Sequence, residues 1–506
     1  MLDQVLLAFD HVLSINVIAY IAFGVFIGYL VGAMPGMNRA TAIALLLPFT
    51  YKLPPLVGIS FLIGINKGGA AGCAVSAILI NVPGEPSAVV TTLDGYPLTR
   101  QGKAGKALQI ALYASVVGDL LATIALIALT MPLAAIAVNT GPVELCAIVI
   151  FAMSFIAAVS GRSFFKGLIA GFLGLLLAAP RLDIETGAPR LTFGFPELYD
   201  GIPLLAVAIG TLALSEVLVQ IDRGWRGEYG HKAEYMKSDN PDDHRLSWRE
   251  FVVAFPTILR GALVGTFIGI LPGLGASLSS FLAYAWTQKR DRNPSSFGKG
   301  RFEGVAASES ADNASVPASL VPVFAIGLPG SLSTALLMGA FMLYGLTPGP
   351  FLLRDDAVLV YSIFGGMLLA SAILLVVGLI GQRFFSRAIL VSDAILLPMI
   401  VFFCIAGAYL EGGGMFSVYL MIVFAFVGYF MKKFDFSFVT FLIGFILGPM
   451  AELSMRQAMI ITDGSITSLI SHPVAVVFLV LAVVSVWKFS SLQMSQTQPV
   501  PENKKT

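Results

Sequence analysis

The chain has 506 residues, of which 57% are hydrophobic and only 12% are charged, and its mean hydropathy is +0.85. Soluble domains carry about 25% charged residues, so this composition excludes an ordinary soluble protein and indicates a polytopic membrane protein. The formal net charge of +1, without a stripe of clustered lysines and arginines, argues against a nucleic-acid partner.

Long apolar runs predict the membrane-crossing helices, since about 17 to 25 apolar residues span the hydrocarbon core. The first run, 12–31, follows Asp3 and Asp10 rather than basic residues, and is predicted to be a membrane helix instead of a cleaved signal. In chain order the predicted spans are 16–34, 57–82, 107–131, 142–160, 164–179, 201–219, 251–270, 313–328, 357–380, 394–411, 415–431, 436–450 and 472–489. Shorter apolar segments, predicted to be half-helices, lie at 39–50, 86–96, 274–286 and 331–346.

The segments on either side of the polar stretch 222–250 resemble each other. GYLVGAMPGM at 28–37 matches GTFIGILPGL at 265–274 with an offset of 237 residues. AILINVPGEPS at 77–87 matches VFAIGLPGSLS at 323–333 with an offset of 246 residues. Two ordered matches at similar offsets predict an internal repeat.

The lysine and arginine bias of the loops indicates that the two halves are inverted, because basic loops lie on the cytoplasmic side. The loop 100–106 has three basic residues and no acid, whereas its repeat partner at 354–356 is net acidic. The predicted fold class is therefore an all-α polytopic membrane protein built from two inverted-topology repeats. Its helices are broken at Pro-Gly pairs, with re-entrant hairpins and roughly 12 membrane spans plus half-helices.

This topology divides the chain and orients its termini. The N-terminus is predicted to face the outer side of the membrane and the C-terminus the cytoplasm, in a multi-pass membrane protein. The predicted regions are a first inverted repeat at 1–221, a cytoplasmic linker at 222–250, a second inverted repeat at 251–470, an extra C-terminal membrane helix at 471–489 and a cytoplasmic tail at 490–506.

Motifs for covalent chemistry are missing from the sequence, which has no HExxH, no Walker A and no nucleophile elbow. An ATP-driven pump or a membrane protease is therefore disfavoured, and the chain is predicted not to be an enzyme and to hold no covalent cofactor. Cys73, Cys146 and Cys404 lie in apolar segments at wide spacing, which indicates small buried side chains instead of a disulfide or zinc site.

Each half contains two Pro-Gly pairs, and these are the predicted binding elements. Proline removes a backbone donor and glycine permits unusual backbone angles, so freed carbonyls could coordinate a cation and half-helix N-termini could hold a carboxylate. The candidate substrate-binding residues are Pro35, Gly36, Asn38, Arg39, Asn66, Lys67, Ser76, Asn81, Pro83, Gly84, Ser87, Pro272, Gly273, Ser277, Asn313, Pro329, Gly330 and Ser331. A candidate Na+ site lies near Gly273, Gly275, Asn313 and Gly330. The alternative for each small polar residue is helix packing.

Charged residues near the breaks need partners or water, because a charge at the bilayer centre costs about 2.5–3.5 kcal/mol. Lys67 and Glu85 could neutralise each other, or Arg39 or Lys67 could meet a substrate carboxylate. The other charged residues near the breaks are Glu309 and Asp312. By contrast, Asp94, Arg100 and Asp119 are predicted to lie at helix ends and are assigned no role.

Long motifs in this sequence resemble one family, the large membrane subunit of the bacterial tripartite tricarboxylate transporters. Two of them are ILINVPGEPSAVVTTLDGYPLTRQGKAGKAL at 78–108 and ESADNASVPASLVPVFAIGLPGSLSTALL at 309–337. Further matching stretches are 32–51, 190–218, 428–436 and 447–458. The resemblance extends to about residue 489.

The resemblance implies a secondary active transporter that takes up tri- or dicarboxylates by alternating access, with an elevator-like movement. It also implies a small four-helix membrane subunit and a periplasmic solute-binding protein as partners, and Na+ or H+ as the coupling ion. The implied location is the bacterial inner (plasma) membrane, with the N-terminus on the periplasmic side. A passive anion channel or a membrane scaffold for a partner complex remain the alternatives.

This sequence departs from the family pattern beside the first-half breaks. Asn38 and Arg39 stand where a glycine-proline pair is common, Asn66 and Lys67 stand where two aromatics are common, and Glu85 stands where threonine is common. One hypothesis is that the Lys67 ammonium takes the place of a bound sodium ion. We therefore expect anion contacts chiefly in the first half and a bound cation in the second.

Overall fold

The chain is almost entirely helical in a computed structural model that describes residues 2–34, 37–137, 141–159, 163–183, 186–225, 245–272, 275–388, 393–410 and 414–496. The one sheet in these ranges is an antiparallel pair of two-residue strands, β1 (Arg181–Leu182) and β2 (Pro189–Arg190). Eight described helices are long and apolar enough to cross a membrane, and six shorter apolar helices accompany them. The predicted all-α class is confirmed, whereas the number of spans and the inverted repeats stay predictions.

The chain forms two compact units, and each takes segments from both predicted halves. Unit 1 comprises Met1–Val138 and Pro203–Tyr429, and unit 2 comprises Asn139–Ile202 and Phe430–Thr506. Compactness and internal resemblance are different properties, so the predicted repeat boundaries stay a prediction. Most of the predicted linker and most of the C-terminal tail lie outside the described residues.

Unit 1 contains most of the helices. They are α1 (Leu2–Val12), α2 (Ile15–Ala33), α3 (Arg39–Thr50), α4 (Pro55–Ile80), α5 (Ala88–Arg100), α6 (Ala104–Ala137), α9 (Leu204–Ala208), α10 (Ser215–Trp225), α11 (Trp248–Gly269), α12 (Gly275–Arg290), α13 (Phe302–Ala318), α14 (Val321–Ile326), α15 (Leu332–Leu343), α16 (Leu352–Asp355), α17 (Ala357–Ala388), α18 (Asp393–Leu410) and most of α19 (Gly414–Lys433). A π-helical segment, Ile209–Leu214, joins α9 to α10.

Unit 2 consists of α7 (Pro142–Val159), α8 (Phe164–Leu177), α20 (Phe438–Ile461), α21 (Pro473–Gln496) and the β1–β2 pair. Helix α21 corresponds to the predicted extra C-terminal helix. Glu452 on α20 holds the guanidinium of Arg190 at 2.5 and 2.8 Å, and this hydrogen-bonded ion pair raises the pKa of Arg190. The pair ties the β-ladder to α20.

The predicted half-helices at 39–50, 86–96, 274–286 and 331–346 correspond to α3, α5, α12 and α15. The predicted span at 313–328 is wrong. The helix begins at Phe302, ends at Ala318 and is followed by the short α14, because prolines interrupt the hydrogen-bond ladder at Pro317 and Pro322. The part of α13 before residue 313 contains two glutamates, two serines and Asp312, so hydropathy alone places the helix too late. Helix α1 was not predicted from the sequence.

Close packing of two helix pairs follows from glycines at four-residue spacing. A Cβ at Gly24, Gly28 or Gly32 of α2 would overlap carbonyl oxygens of α4, so only glycine permits this approach. Gly261, Gly265 and Gly269 of α11, each 237 residues later, approach the backbone of α13 in the same way. The residues that face the α2 glycines also correspond to those that face the α11 glycines, at an offset of 246 positions. These pairs are Phe61 and Ala307, Ile65 and Ala311, and Gly69 and Ser315. Corresponding positions of the predicted repeat therefore make corresponding contacts.

The second break in each half has the same backbone design. Asn81 directly follows helix α4 and adopts a left-handed conformation with φ of 59°, and Gly327 directly follows α14 with φ of 72°. These two residues also differ by 246 positions, and each lies two positions before the proline of a Pro-Gly pair. Proline cannot continue the helix and the left-handed residue turns the chain, so the predicted breaks are confirmed here.

Candidate functional site

A buried ion cluster lies at the start of α3, where the first break returns to helix. The Arg39 guanidinium lies 3.2 Å from the Glu85 carboxylate, and the backbone N–H of Arg39 donates to Glu85 at 2.9 Å. Its other terminal nitrogen, Nη1, lies 3.7 Å from Oδ1 of Asp312 on α13. Neither Nη1 nor Oδ1 has a hydrogen-bond partner within the described part of the chain, although both atoms are buried. This gap is a place where water or a ligand oxygen could bridge the two groups.

The two breaks of the first half meet at this cluster. Asn38 caps α3, since its side-chain oxygen accepts from the backbone N–H of Thr41 at 2.8 Å. A Cβ at Gly84 would lie 3.0 Å from the carbonyl oxygen of Met37, so glycine lets the second break approach the first. Ser87, at the start of α5, lies beside Asp312 without a well-formed hydrogen bond.

A second polar group lies around Glu309 on α13. The hydroxyl of Thr91 donates to Glu309 at 2.5 Å, and the hydroxyl of Ser115 lies 3.2 Å from its other oxygen. The Asn313 amide donates to Ser115 at 2.8 Å and to the backbone carbonyl of Glu309 at 3.0 Å. Because Asp312 and Glu309 lie on one helix, α13 joins this group to the Arg39 cluster. We call the two groups together the α13 cluster: Arg39, Glu85, Thr91, Ser115, Glu309, Asp312 and Asn313.

Lys67 lies in a separate cage of oxygens formed by α6 and α17. Its ammonium donates to the carboxylate of Asp119 at 2.7 Å, and it lies within 3.0 Å of the Thr123 hydroxyl, the Met367 carbonyl and the Ser371 hydroxyl. Three N–H groups face four oxygens, so the arrangement resembles the coordination of a small cation. The same Asp119 oxygen that binds the ammonium also accepts a hydrogen bond from the Ser371 hydroxyl at 2.5 Å.

These contacts correct two interpretations of the charged residues. Lys67 does not pair with Glu85, because Asp119 holds its ammonium while Arg39 holds Glu85. Asp119 does not lie at a helix end, since it lies in the interior of α6.

Asp94 likewise lies in the interior of α5 and has a structural role. One of its carboxylate oxygens accepts from the backbone N–H groups of Gly298, Gly300 and Arg301 at 2.8 to 2.9 Å. The other accepts from the hydroxyl of Tyr284 at 2.8 Å. Asp94 therefore anchors the loop between α12 and α13 instead of contacting the α13 cluster.

The structure brings some of the predicted residues together and gives others local roles. Arg39, Ser87 and Asn313 lie in or beside the α13 cluster. Ser331 caps α15, Ser76 donates to its own helix at 3.4 Å, and Gly330 packs against the end of α13. Asn66 is buried next to Lys67, and its side-chain oxygen has no hydrogen-bond partner among the described residues. Ser277 and Pro272 are half-buried near the start of α12, and Pro83 is half-buried at the second break.

The candidate Na+ site and the first break of each half are described only in part. Pro35, Gly36 and Gly273 lie outside the described residues. Gly275 opens α12 with φ of 60°, and Asn313 is engaged with Ser115 and Glu309. The described ranges contain no group of three or more His, Cys, Asp or Glu side chains that could hold a metal ion. The Na+ site stays a prediction.

The sequence contained a signal for the residues that the prediction missed. Ser115, Asp119 and Thr123 follow each other at four-residue spacing, which places three polar side chains on one face of the otherwise apolar α6. Ser115 contacts the α13 cluster, and the other two contact Lys67. A polar stripe on a long apolar helix thus indicates which buried charges need a partner.

Comparison with known proteins gives the family. Residues 18–443 match the profile of the "Tripartite tricarboxylate transporter TctA family". The chain is 33% identical over 475 residues to an uncharacterized 52.8 kDa protein in the TAR-I ttuC' 3' region of Agrobacterium vitis, covering 94% of this chain and 93% of that protein. It is 35% identical over 222 residues to an uncharacterized protein in the TAR-II ttuC' 3' region of the same organism, covering 44% of this chain and 92% of that protein. No solved structure matches. Because the profile covers most of the chain and a relative matches along nearly its full length, the chain belongs to the tripartite tricarboxylate transporter TctA family.

Proposed function

We propose that the chain is the large transport subunit of a binding-protein-dependent secondary active transporter. It takes up tri- or dicarboxylates across the bacterial inner membrane by alternating access, driven by a cation gradient. Its partners are a small four-helix membrane subunit and a periplasmic solute-binding protein. The movement is elevator-like and carries the α13 cluster across the membrane with the bound solute.

The observation that carries this proposal is the Arg39 guanidinium. It is buried beside a helix break, and its Nη1 atom has no hydrogen-bond partner in the described residues. Guanidinium groups bind carboxylates strongly, and a buried charge is costly unless it serves binding or pairing. Broken helices at corresponding places of two repeats are typical of secondary transporters, and the matching contacts at offsets of 237 and 246 support such a repeat.

Counterflow tests the proposal against a channel and a scaffold. The full chain is reconstituted into lipid vesicles with its two partner proteins. The vesicles are loaded with unlabelled citrate or succinate and diluted into labelled solute without an ion gradient. A carrier gives transient accumulation of label above equilibrium. A passive channel gives equilibration alone, and a scaffold gives neither; either result would refute the proposal.

Arg39→Gln is the informative variant. We expect the half-saturating concentration in counterflow to rise about 30-fold or more, because truncating a buried charged partner costs about 2 kcal/mol or more. The control is Arg354→Gln, since Arg354 is exposed and pairs with the neighbouring Asp355. If the two substitutions change the half-saturating concentration equally, Arg39 does not bind the solute.

A further inference from the structure

Glu309 and Asp94 are the buried carboxylates of unit 1 that form no ion pair among the described residues, and Asp94 is held instead by three backbone N–H groups and the Tyr284 hydroxyl. Glu85, Asp119 and Asp312 each have a guanidinium or ammonium nitrogen within 4 Å. Glu309 forms no ion pair in the described residues and is 1% exposed. Its carboxylate contacts two hydroxyls and one amide, all of them neutral.

The hydrogen bonds around Glu309 suit both of its protonation states. When Glu309 is ionised, Thr91 and Ser115 donate their hydroxyl protons to its two oxygens. When it is protonated, its O–H donates to the Thr91 oxygen and the Thr91 hydroxyl turns to Ser308, which lies 3.0 Å away. Ser308 in turn can donate to the carbonyl of Val305 at 3.1 Å. A proton can thus be gained or lost without moving a heavy atom.

The positive charge near Glu309 is too small to neutralise the carboxylates around it. Arg39 is the single cation of the α13 cluster, and it serves three carboxylates, those of Glu85, Asp312 and Glu309. Helices α5 and α6 offer Glu309 hydroxyls alone. The titratable groups that interact electrostatically with Glu309 are Asp312 on its own helix, Arg39 on α3, Tyr29 on α2 and Cys73 on α4. A carboxylate solute beside Arg39 adds further negative charge, so binding requires that positive charge arrives with it.

We propose that Glu309 binds the proton that couples carboxylate uptake to the proton gradient, an inference that rests on the proposed transport function. A proton from the outer solution adds to a carboxylate oxygen of Glu309 and leaves it on the inner side, with no covalent bond between heavy atoms formed or broken. Protonation removes one negative charge near Arg39 and raises affinity for the solute. By linkage, the solute raises the proton affinity of Glu309 by the same factor.

Infrared spectroscopy tests the proton site without any substrate. The pH-difference spectrum of the purified full chain should contain the carbonyl stretch of a protonated carboxylic acid that disappears as the pH rises. This band should shift when the chain contains isotope-labelled glutamate, and it should vanish in Glu309→Gln but persist in Asp355→Asn, a change at an exposed carboxylate. If the wild-type spectrum lacks a titrating glutamic-acid band, the inference is wrong, whether or not the variant folds.

Transport measurements test the coupling. In proteoliposomes at zero membrane potential, an inward gradient of one pH unit can sustain about a tenfold accumulation per coupled proton. Wild type should accumulate labelled citrate or succinate under this gradient beyond liposomes that lack the chain. Glu309→Gln should lose this accumulation, and its counterflow should no longer change with pH, because a fixed neutral side chain takes up no proton. Accumulation by the variant equal to wild type, or wild-type accumulation that needs sodium instead, would overturn the inference.

The two proposals fail in different ways. If wild type shows no counterflow with either solute, the transport function fails, while the infrared band still reports whether Glu309 takes a proton. If counterflow is present and the Glu309 band is absent, the transport function stands and this inference fails.

Discussion

Removing the Lys67 charge should destabilise the protein, and removing the Asp119 charge with it should restore most of the loss. Lys67→Met leaves the buried Asp119 carboxylate with the Ser371 hydroxyl as its hydrogen-bond partner among the described residues, and Asp119→Asn leaves the ammonium without its counter-ion. Breaking a buried ion pair from one side costs about 3–5 kcal/mol, whereas replacing both members by neutral groups is often close to neutral.

The expected size of the effect follows from chain length. Proteins gain about 2.1 cal/mol/K of entropy per residue on unfolding, so for 506 residues each kcal/mol shifts the melting midpoint by about 1 °C. Each single substitution should therefore lower the midpoint by about 3–5 °C. The double variant Lys67→Met with Asp119→Asn should melt close to wild type.

Thermal unfolding in detergent, followed for all four proteins of the double-mutant cycle, measures this coupling. A control is Arg354→Met, which removes an exposed cation whose partner is also exposed and should change little. If the double variant loses as much as the two singles together, Lys67 and Asp119 do not stabilise the fold as a pair.

A smaller side chain at position 67 tests whether the ammonium stands in for a bound cation. Lys67→Ala should leave a space lined by the Asp119 carboxylate, two hydroxyls and a backbone carbonyl, which are ligands that hard cations prefer. Sodium at about 100 times its dissociation constant would then stabilise this variant by about 2.7 kcal/mol. The midpoint of wild type should not respond to sodium in this way, and an equal response of both proteins would refute the idea.

Two further substitutions test the packing of unit 1. Gly265→Ala should lower the melting midpoint by about 1–3 °C, because the added Cβ would overlap a backbone carbonyl of α13. Gly366→Ala is the control and should be tolerated, because its Cβ would lie 3.3 Å from the side-chain oxygen of Ser60. Asp94→Ala should expose the loop between α12 and α13, so trypsin should cleave at Lys299 faster than in wild type, as measured by mass spectrometry of the digest. Equal melting of the two glycine variants, or an unchanged cleavage rate, would contradict these contacts.

Local chemistry made most of the helices predictable. Apolar runs predicted the long helices, and the Pro-Gly pairs predicted where α4 and α14 end, since proline removes a backbone donor and the preceding residues adopt left-handed angles. Helix α13 was misplaced because hydropathy treats Glu309, Asp312 and their serine neighbours as exposed, whereas tertiary packing buries them all. A buried polar helix cannot be recognised from composition alone.

Partner choice was the part of the site that the sequence did not predict. Arg39 and Lys67 were identified as buried charges near the breaks, but the partner of Lys67 depends on where α6 and α17 pass. Ser371 lies 304 residues away in the chain from the lysine that it contacts. Such pairing depends on the tertiary fold, so proximity to the same break suggested Glu85 instead of Asp119.

In the proposed alternating access, the α13 cluster is reached in turn from the two sides of the membrane. Cys73 is a native reporter, because it is buried and its sulfur would lie 3.4 Å from a Cβ placed at Gly84. Cys146 and Cys404 are free thiols and can be replaced by alanine, with Cys73→Ala in the same background as the control for unspecific labelling.

The most direct test is the rate at which a membrane-impermeant thiol reagent modifies Cys73 from each side of oriented vesicles. We expect labelling from both sides, and citrate or succinate should slow it. Labelling that occurs from one side alone, or that neither carboxylate changes, would contradict alternating access at this cluster.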